Sequence, residues 1–584
     1  MKKLLLGNEA VAQGLYEAGV RIVSAYPGTP STEITEAASK FDEIYTEWAP
    51  NEKVAVEVAV GASMAGARSF AAMKHVGLNV AADPLYTDSY IGVNGGVVIA
   101  VADDPAMHSS QNEQDSRHHA IAAKVPMLEP ADSAECKAFT KLAYELSETY
   151  DTPVLLRLTT RVAHCRSIVE TEPRRELELK PYVKNPAKNV MMPAMARGRH
   201  VFVEERTEKL IEFAESDRIN PVEYHSDEIG VIAAGSCYDY AKEALGDRVS
   251  YLKLDMVNPL PLKKIRDFAG RVRKIYVIEE LDPIIETHCK ANGIPVIGKD
   301  VFSLLGEFSQ ATVAKAILGE EKPYSAVEEE LPGRPPVLCA GCPHRGLNYP
   351  LKKYNLYVSG DIGCYTLGAQ APLSMVDSCV CMGASVSGLH GFNKARGNEQ
   401  AKKSVAVIGD STFIHSGITG LINIAYNKGI STVIVLDNSI TGMTGHQNNP
   451  ANGLTIKGDP TVAVDLEALA RAVGFQRVRV VDPFDIPGVR AAVEEELAAE
   501  EPSLIISRRP CALLKKVKHP APLQVNQDRC VACHACMSVG CPALSFAKLP
   551  DGKRGKAMID ETMCLGCGVC QAACKPGAIC KKED

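Results

Sequence analysis

Short aliphatic runs alternate with segments of helical periodicity along most of the chain. The runs at residues 20–25, 96–102 and 153–158 predict strands buried on both faces of a parallel sheet. Residues 7–18 and 54–68 carry small and apolar side chains at helical spacing, and they predict helices that cover such a sheet. This pattern is typical of an α/β fold with doubly wound parallel sheets.

The same pattern returns in two later parts of the chain. Residues 230–236 predict a strand that enters a helix, and residues 274–279, 404–408 and 432–436 predict further strands. Residues 166–225 are rich in Arg, Lys, Glu and Pro, and they predict a linker with some helix. We therefore expect α/β domains at 1–165, 226–320 and 336–515, followed by a separate cysteine-rich domain at 520–584.

Composition excludes several classes of protein. The chain has 584 residues, of which 46% are hydrophobic and 23% charged, as in an ordinary globular protein. A net charge of −7 without a basic run argues against nucleic-acid binding. No long apolar run predicts a membrane span or a signal peptide. The 19 cysteines are therefore expected as reduced thiols in the cytoplasm, some of them holding metal.

Two cysteine runs in the tail form the most specific motif. Each has three cysteines at C-x2-C-x2-C spacing and a fourth cysteine near a proline. Bacterial ferredoxins with two [4Fe–4S] clusters have this pattern, and the fourth cysteine of each run ligates the other cluster. A pair of zinc sites is the alternative, but such sites usually separate two C-x2-C units by a longer loop. The predicted ligand sets are Cys530, Cys533, Cys536 and Cys574 for one cluster, and Cys564, Cys567, Cys570 and Cys541 for the other.

The first cysteine run departs from the usual spacing. Four residues, 537–540, separate its last two cysteines, where three are usual. We expect a bulge at Gly540 to absorb the extra residue. Cys580 is expected not to be a ligand.

A second motif lies where two predicted strands end. Strand 404–408 runs into Gly409, Asp410 and Ser411, and strand 432–436 runs into Asn438 and Ile440. Ligands bind at the carboxyl ends of strands in open α/β sheets, and Mg2+ prefers oxygen ligands, including those of a diphosphate. The arrangement resembles the thiamine-diphosphate signature with Ser411 in place of a glycine. The side chains of Asp410 and Asn438 and the carbonyl of Ile440 are the expected ligands; a generic turn with a helix-capping aspartate is the alternative.

Three neighbouring loops are expected to line the same cofactor crevice. They contain Cys339, Gly341 and Cys342 in the first, Gly363 and Cys364 in the second, and Gly383 in the third. The CxxC formed by Cys339 and Cys342 could instead bind zinc or iron or act in redox chemistry. His415, five residues beyond Asp410, is a candidate acid–base group, and a structural histidine is the alternative.

Over essentially its whole length, the chain resembles the thiamine-diphosphate-dependent 2-oxoacid:ferredoxin oxidoreductases. The resemblance rests on residues 7–10 (GNEA), 26–33 (YPGTPSTE) and 409–417 (GDSTFIHSG) together with the cysteine tail. It implies a pyrimidine-binding domain at 1–165, a transketolase-C-like domain at 226–320, a diphosphate- and Mg2+-binding domain at 336–515 and a two-cluster ferredoxin-like domain at 520–584.

The resemblance also assigns a catalytic glutamate. Thiamine enzymes place a glutamate against N1′ of the aminopyrimidine, and the matching residue here is Glu52. Glu57 is the rival, and an ordinary glutamate at a helix start is the alternative. In related enzymes the two cofactor-binding domains of one site often come from two chains, which implies a dimer of alpha–beta units.

The implied activity is oxidative decarboxylation of a 2-oxoacid, with coenzyme A as co-substrate and ferredoxin as electron acceptor. A smaller beta subunit is the implied partner. Within the family, the branch that acts on arylpyruvates such as indolepyruvate is the best match. The alternatives are a pyruvate or 2-oxoglutarate type, a non-redox decarboxylase and a non-catalytic electron-transfer subunit.

Two segments of the first domain are candidates for substrate contacts. Residues 74–79 replace a loop of relatives that use smaller or dicarboxylic oxoacids, which indicates a reshaped pocket. Residues 108–115 and Arg117 form a polar segment that resembles a substrate or coenzyme A edge. A solvated surface loop is the alternative for the second segment.

Overall fold

Two aliphatic strands, Val97–Asp103 and Ser404–Gly409, are buried along their whole length and lie inside the two main sheets. The computed structural model describes residues 1–321, 329–333, 335–550 and 552–581. The chain divides into two units, Met1–Glu328 and Glu329–Asp584. Both units contain parallel sheets, as the sequence predicts.

The main sheet of the first unit has seven strands in the order β12-β6-β7-β5-β4-β2-β3. All neighbours are parallel except β12, which is antiparallel to β6. The strands of this unit are β1 (Lys2–Leu6), β2 (Ile22–Ala25), β3 (Tyr45–Trp48), β4 (Ser69–Lys74), β5 (Val97–Asp103), β6 (Met127–Leu128), β7 (Val154–Thr159), β8 (Arg166–Glu170), β9 (Val222–Glu223), β10 (Ile229–Ala233), β11 (Ser250–Lys253), β12 (Met256–Asn258) and β13 (Lys274–Ile278).

Helices cover both faces of this sheet. Alternate residues of β5 enter opposite cores: Val98 and Ala100 pack into one, Val97 and Ile99 into the other. The helices are α1 (Gly7–Glu17), α2 (Thr32–Ala38), α3 (Glu52–Met64), α4 (His75–Val80), α5 (Ala82–Ile91), α6 (Arg117–Ala123), α7 (Ser133–Tyr150), α8 (Thr160–His164), α9 (Pro186–Asn189), α10 (Pro193–Ala214), α11 (Gly235–Leu245), α12 (Leu262–Ala269), α13 (Ile284–Ala291) and α14 (Gln310–Leu318).

Residues 166–225, predicted as a linker with some helix, contain more secondary structure than predicted. β8 pairs antiparallel with β1, α10 spans 22 residues, and β9 pairs with β11 in a second sheet of order β13-β10-β11-β9. β12, from the region predicted as a separate domain at 226–320, completes the edge of the main sheet. The three predicted segments are thus joined by strand pairing into one unit.

A buried ion network connects the two sheets of the first unit. Arg157 on β7 donates to Asp103 at 2.7 Å and lies 2.7 Å from Glu129. Arg117 lies 2.7 Å from Glu279, the residue after β13. All five of these side chains are buried. Because an unpaired buried charge is costly, this network fixes which strand ends can meet.

We expect the variant Arg157→Met to lower the free energy of unfolding of the first unit by about 3–5 kcal/mol, because Asp103 and Glu129 would lose their buried cation. The matched control is Arg273→Met, whose ion pair with Glu228 has side chains 73% and 60% exposed. The control should lose no more than about 1 kcal/mol. Urea or thermal unfolding measures both, and equal losses would contradict the structural role of the network.

The second unit contains a six-stranded, wholly parallel sheet of order β15-β14-β16-β17-β19-β18. Its strands are β14 (Tyr357–Gly360), β15 (Ser378–Cys379), β16 (Ser404–Gly409), β17 (Thr432–Asp437), β18 (Arg477–Val481) and β19 (Ser503–Arg508). Its helices are α15 (His344–Leu351), α16 (Ala384–Arg396), α17 (Asn398–Ala401), α18 (Asp410–Thr412), α19 (Ile418–Tyr426), α20 (Leu466–Ala472) and α21 (Ile486–Leu497).

The tail of the second unit consists of two small antiparallel ribbons, β20-β23 and β21-β22, with one short helix. The elements are β20 (Leu523–Val525), β21 (Leu544–Lys548), β22 (Arg554–Ile559), α22 (Val569–Ala572) and β23 (Ile579–Lys581). Cys536 and Cys570 belong to its small core. No helix in the described part of the chain is long and apolar enough to cross a membrane.

Candidate functional site

In the first unit, the glutamate predicted to contact the cofactor lies buried at the start of α3. Asn51 caps this helix by accepting a hydrogen bond from the Val54 N–H at 3.0 Å. A Cβ at Gly77 would lie only 2.6 Å from Glu52 Oε1, so the glycine permits close approach to the carboxylate. The rival Glu57 is exposed and pairs with Lys53. The burial of Glu52 and the close approach of Gly77 therefore favour Glu52 over Glu57 as the candidate.

Lys74, the last residue of β4, lies beside the loops that follow β2 and β5. Its ammonium donates to the Ser109 carbonyl at 2.7 Å, and Ser110 donates to Asp104 at 2.6 Å. Burial lowers the pKa of Lys74 to about 8, and Asp104 opposes part of this shift. The segments at 74–79 and 108–115, predicted to contact substrate, thus meet at one strand edge.

Arg117 requires a correction. The sequence places it in a polar segment that could form a substrate or coenzyme A edge. In the structure its side chain is buried and fully engaged with Asp115 and Glu279. Its donors are used within the ion network, so it belongs to the framework and not to an exposed loop.

In the second unit, the predicted diphosphate and metal residues occupy neighbouring strand ends. Asp410 follows β16 and accepts a hydrogen bond from the Ser411 N–H at 2.8 Å through Oδ1. Oδ2 is buried and has no hydrogen-bond partner among the described residues. Burial, and then the nearby Asp437, raises the pKa of Asp410 to about 7. A buried carboxylate oxygen without a donor fits a cation ligand.

The loop after β17 brings the other two predicted ligands to the same edge. Asn438 and Ile440 are both buried, and the Ile440 N–H donates to Asn438 Oδ1 at 3.2 Å. Thr441 donates to the Ser411 hydroxyl at 3.0 Å and ties this loop to the one after β16. An aspartate, an asparagine and a carbonyl on adjacent loops are the donor types that suit Mg2+.

Asp361, at the end of β14, organises the remaining loops. Its carboxylate accepts hydrogen bonds from the N–H groups of Ile362 at 2.9 Å, Gly383 at 3.0 Å and Ser385 at 3.0 Å. Burial raises the pKa of Asp361, and these donors partly counteract it. The sequence analysis did not select Asp361, because its partners are backbone groups with no sequence signature.

The glycines of these loops are required by close approach. A Cβ at Gly409 would lie 2.8 Å from the ring of Tyr365, which also packs against Gly363. Gly383 has a φ of +87° and sits against Ser416. His415 belongs to a turn of π-helix, Phe413–Gly417, and its Nδ1 lies 2.6 Å from the Ser416 hydroxyl oxygen. Such turns are frequent at functional sites, so His415 remains a candidate acid–base group.

We expect the variant Asp361→Asn to destabilise the second unit by about 1–3 kcal/mol, because its amide nitrogen would face an N–H donor. Thermal unfolding of the metal-free protein measures the loss. The control is Asp459→Asn, at an exposed position. Asp377 is not chosen, because it also accepts a hydrogen bond from a backbone N–H group. An unchanged midpoint for Asp361→Asn would contradict the proposed organising role.

Four cysteines from distant parts of the second unit, Cys339, Cys342, Cys364 and Cys511, interact electrostatically near the candidate metal-binding loops. Burial, and then the thiols of Cys511 and Cys339, raises the pKa of Cys364 to about 11. Burial raises the pKa of Cys342 to about 12, with Cys364 and Cys339 adding to the effect. The Cys511 N–H donates to the Asn438 carbonyl at 2.9 Å. The sequence analysis missed Cys511 because it stands alone in the chain.

The CxxC loop, which is predicted to line the cofactor crevice, also contacts the tail. A Cβ at Gly341, whose φ is +69°, would lie 2.9 Å from the Leu565 side chain. Cys342 packs in one apolar cluster with Val539, Cys541 and Cys567 of the tail. The loop therefore lies between the candidate metal-binding loops and the cysteine-rich tail.

In the tail, cysteines of both runs lie near Cys536. Burial raises the pKa of Cys536, and the thiols of Cys574, Cys530 and Cys533 raise it further. Cys574 comes from the second run, as the crossover requires. The Ala578 N–H also donates to the Cys574 sulfur at 3.2 Å.

Cysteines of both runs also lie near Cys570. Burial raises the pKa of Cys570, with further contributions from Cys567, Cys541 and Cys564, and from Cys536 of the first predicted set. The Leu523 N–H donates to the Cys564 sulfur at 3.4 Å. Among the described residues, no three or more His, Cys, Asp or Glu side chains are arranged so that they could hold a metal ion. The support for cluster binding is therefore the thiol neighbourhood and the donor chemistry.

Comparison with known proteins gives matches to both units. Residues 13–229 match the family described as "Pyruvate flavodoxin/ferredoxin oxidoreductase, thiamine diP-bdg". Residues 361–507 match "Thiamine pyrophosphate enzyme, C-terminal TPP binding domain".

Several curated relatives match nearly the whole chain. Indolepyruvate oxidoreductase subunit IorA of Archaeoglobus fulgidus is 40% identical over 99% of this chain and 97% of the relative. The protein of the same name from Pyrococcus horikoshii is 40% identical over 100% and 97%. 2-oxoglutarate synthase subunit KorA of Archaeoglobus fulgidus is 27% identical over 47% of this chain and 87% of the relative.

Proposed function

Because the chain belongs to the family of indolepyruvate ferredoxin oxidoreductase alpha subunits, we propose that it oxidatively decarboxylates arylpyruvates such as indolepyruvate. Membership makes the chain a 2-oxoacid oxidoreductase that binds thiamine diphosphate. The proposed products are an aryl-acetyl-CoA and CO2, with coenzyme A as co-substrate and ferredoxin as electron acceptor. One observation carries the proposal: in the second unit, candidate diphosphate loops and candidate cluster thiols lie side by side.

The residues of the candidate site have separable roles in this proposal. Asp410, Asn438 and the carbonyl of Ile440 would hold Mg2+ and, through it, the diphosphate, and the buried Asp410 Oδ2 fits this role. Glu52 would hold a proton at N1′ of the aminopyrimidine. Bound thiamine diphosphate supplies the electron sink for loss of CO2. Lys74 would lie at the substrate edge, and His415 is proposed as an acid–base group.

The thiol sets are proposed to carry electrons away from this site. Eight tail cysteines suit two [4Fe–4S] clusters in the crossed arrangement. A further four thiols lie next to the candidate metal-binding loops after β16 and β17, namely those of Cys339, Cys342, Cys364 and Cys511. Four thiolates suit another iron–sulfur cluster or a zinc ion. Iron–sulfur clusters supply one-electron carriers, which a simple decarboxylase does not need.

The proposed assembly includes a smaller beta subunit, since the relatives carry the name of one subunit of an oxidoreductase. A dimer of alpha–beta units is proposed from the family resemblance. The alternatives remain another oxoacid preference, of the pyruvate or 2-oxoglutarate type, and a non-redox decarboxylase.

Anaerobically purified protein with its partner subunit should reduce a viologen dye or ferredoxin fastest with indolepyruvate or phenylpyruvate, and only slowly with pyruvate or 2-oxoglutarate. The rate should depend on coenzyme A. Aldehyde formation without dye reduction would instead support a non-redox decarboxylase.

The variant Asp410→Ala should weaken thiamine diphosphate binding, measured by calorimetry with Mg2+, by about tenfold or more. The exposed control Asp42→Ala should bind normally.

Metal analysis tests the thiol set that contains Cys511. If this set holds a cluster, the wild-type chain should contain about twelve iron atoms and Cys511→Ser about eight. Cys381→Ser, at an exposed cysteine of a neighbouring loop, should leave the iron content unchanged. About eight iron atoms with one zinc would assign the set to zinc. About eight iron atoms without zinc would exclude a metal there.

A further inference from the structure

Arg345 is a buried cation between the CxxC loop and the tail. It is 2% exposed at the second position of α15. Its Nε donates to the Cys339 carbonyl at 3.2 Å, Nη1 donates to the carbonyls of Val539 at 3.0 Å and Gly540, and Nη2 donates to that of Leu338. The guanidinium thus joins two loops that are almost 200 positions apart in sequence.

No carboxylate within the described ranges forms an ion pair with this guanidinium. The groups that oppose the effect of burial on its charge are sulfurs, those of Cys541, Cys342, Cys567 and Cys339. A buried cation without an anion costs several kcal/mol. Neutral thiols do not remove that cost, whereas thiolates that ligate iron would. The location of the charge therefore matches an anionic group at these sulfurs.

The unusual spacing of the first cysteine run provides the acceptor for Arg345. The run has one residue more than usual before Cys541, and the chain there makes a turn at Gly540 with a φ of +67°. The two carbonyls that receive Nη1 belong to this turn. A Cβ at Gly540 would lie 2.9 Å from Pro372 Cδ and 3.3 Å from Nη1. The extra residue and the glycine thus form a fitted acceptor for the guanidinium.

We propose that Arg345 is a positioning residue that docks the CxxC loop onto the tail and raises the reduction potential of the cluster held by Cys541, Cys564, Cys567 and Cys570. The inference rests on the proposed function, because it requires that cluster. Reduction adds one electron from the donor and makes the cluster more negative by one charge. A fixed, buried cation stabilises the reduced form more than the oxidised form, since the low local dielectric screens it little.

Between the two tail clusters, the effect should be confined to this one. All four of its cysteines line one cavity together with Arg345, whereas no sulfur of the set Cys530, Cys533, Cys536 and Cys574 lines that cavity. Cys342 and Cys339 also interact with the guanidinium, so a cluster at the set that contains Cys511 would shift as well. Arg509 provides a matched control, because it also interacts with Cys567. Its charge is already paired with Asp482, and its side chain is 38% exposed, so solvent and the carboxylate screen it.

The test is a redox titration, followed by electron paramagnetic resonance, of the anaerobically purified holoenzyme. In Arg345→Gln, the redox couple of the cluster that includes Cys541 should shift to a more negative potential. The couple of the other tail cluster should keep its potential. Arg345→Lys keeps the positive charge but not the planar set of guanidinium N–H donors, so it should shift the reduction potential less. Arg509→Gln should shift neither couple. Unchanged potentials in an iron-replete Arg345→Gln protein would overturn the inference while leaving the proposed function intact.

Two other outcomes are also decisive. A wild-type protein without iron–sulfur signals would overturn the proposed function and this inference with it. If Arg345→Gln does not retain iron, the iron content of Arg345→Lys decides, because a charge requirement predicts that lysine preserves the cluster. Equal loss of iron from the lysine and glutamine variants would show that the charge is not what the cluster requires.

Discussion

Parallel strands place all their carboxyl ends at one edge of a sheet, and this constraint positions the candidate cofactor and substrate residues that follow the strands of the two main sheets. In the first unit, Glu52 follows β3, Lys74 ends β4 and Asp103 ends β5. In the second unit, Asp361 follows β14 and Asp410 follows β16. Apart from β3, these strands are largely apolar, and Lys74, Asp103, Asp361 and Asp410 meet polar groups of neighbouring residues or loops. The aliphatic runs that form the sheets thus also determine where polar chemistry collects.

Local signals predicted the buried strands of the second unit well. The strand predicted at 404–408 is observed as Ser404–Gly409, and that at 432–436 as Thr432–Asp437, because buried parallel strands are continuous aliphatic runs. The sequence at 166–225 was less informative. Strand β8 exposes most of its side chains, and its partner β1 is distant in sequence, so neither periodicity nor hydrophobicity marks the pairing.

The residues that sequence analysis missed share one physical property: their partners are distant or lie in the backbone. Asp361 binds three N–H groups, which any residue could supply. Cys511 lacks a spaced partner cysteine, and it joins Cys339 and Cys364 only through the folding of the sheet. Arg117 has a polar sequence context, yet its ion pair with Glu279 lies 162 positions away and buries it. Motif spacing finds only ligands that lie close in sequence.

In the proposed function, the thiols of the tail would couple metal binding to folding. Its two ribbons are two-stranded, and such ribbons are only marginally stable alone. Its core contains Cys536 and Cys570, whose pKa values are raised mainly by burial, so in the metal-free protein these thiols are protonated at neutral pH. Metal ligation requires thiolates, and it must release those protons. Clusters in the tail would therefore replace neutral thiols with an anionic, cross-linked core, and the buried charge of Arg345 beside them would then have its counter-charge.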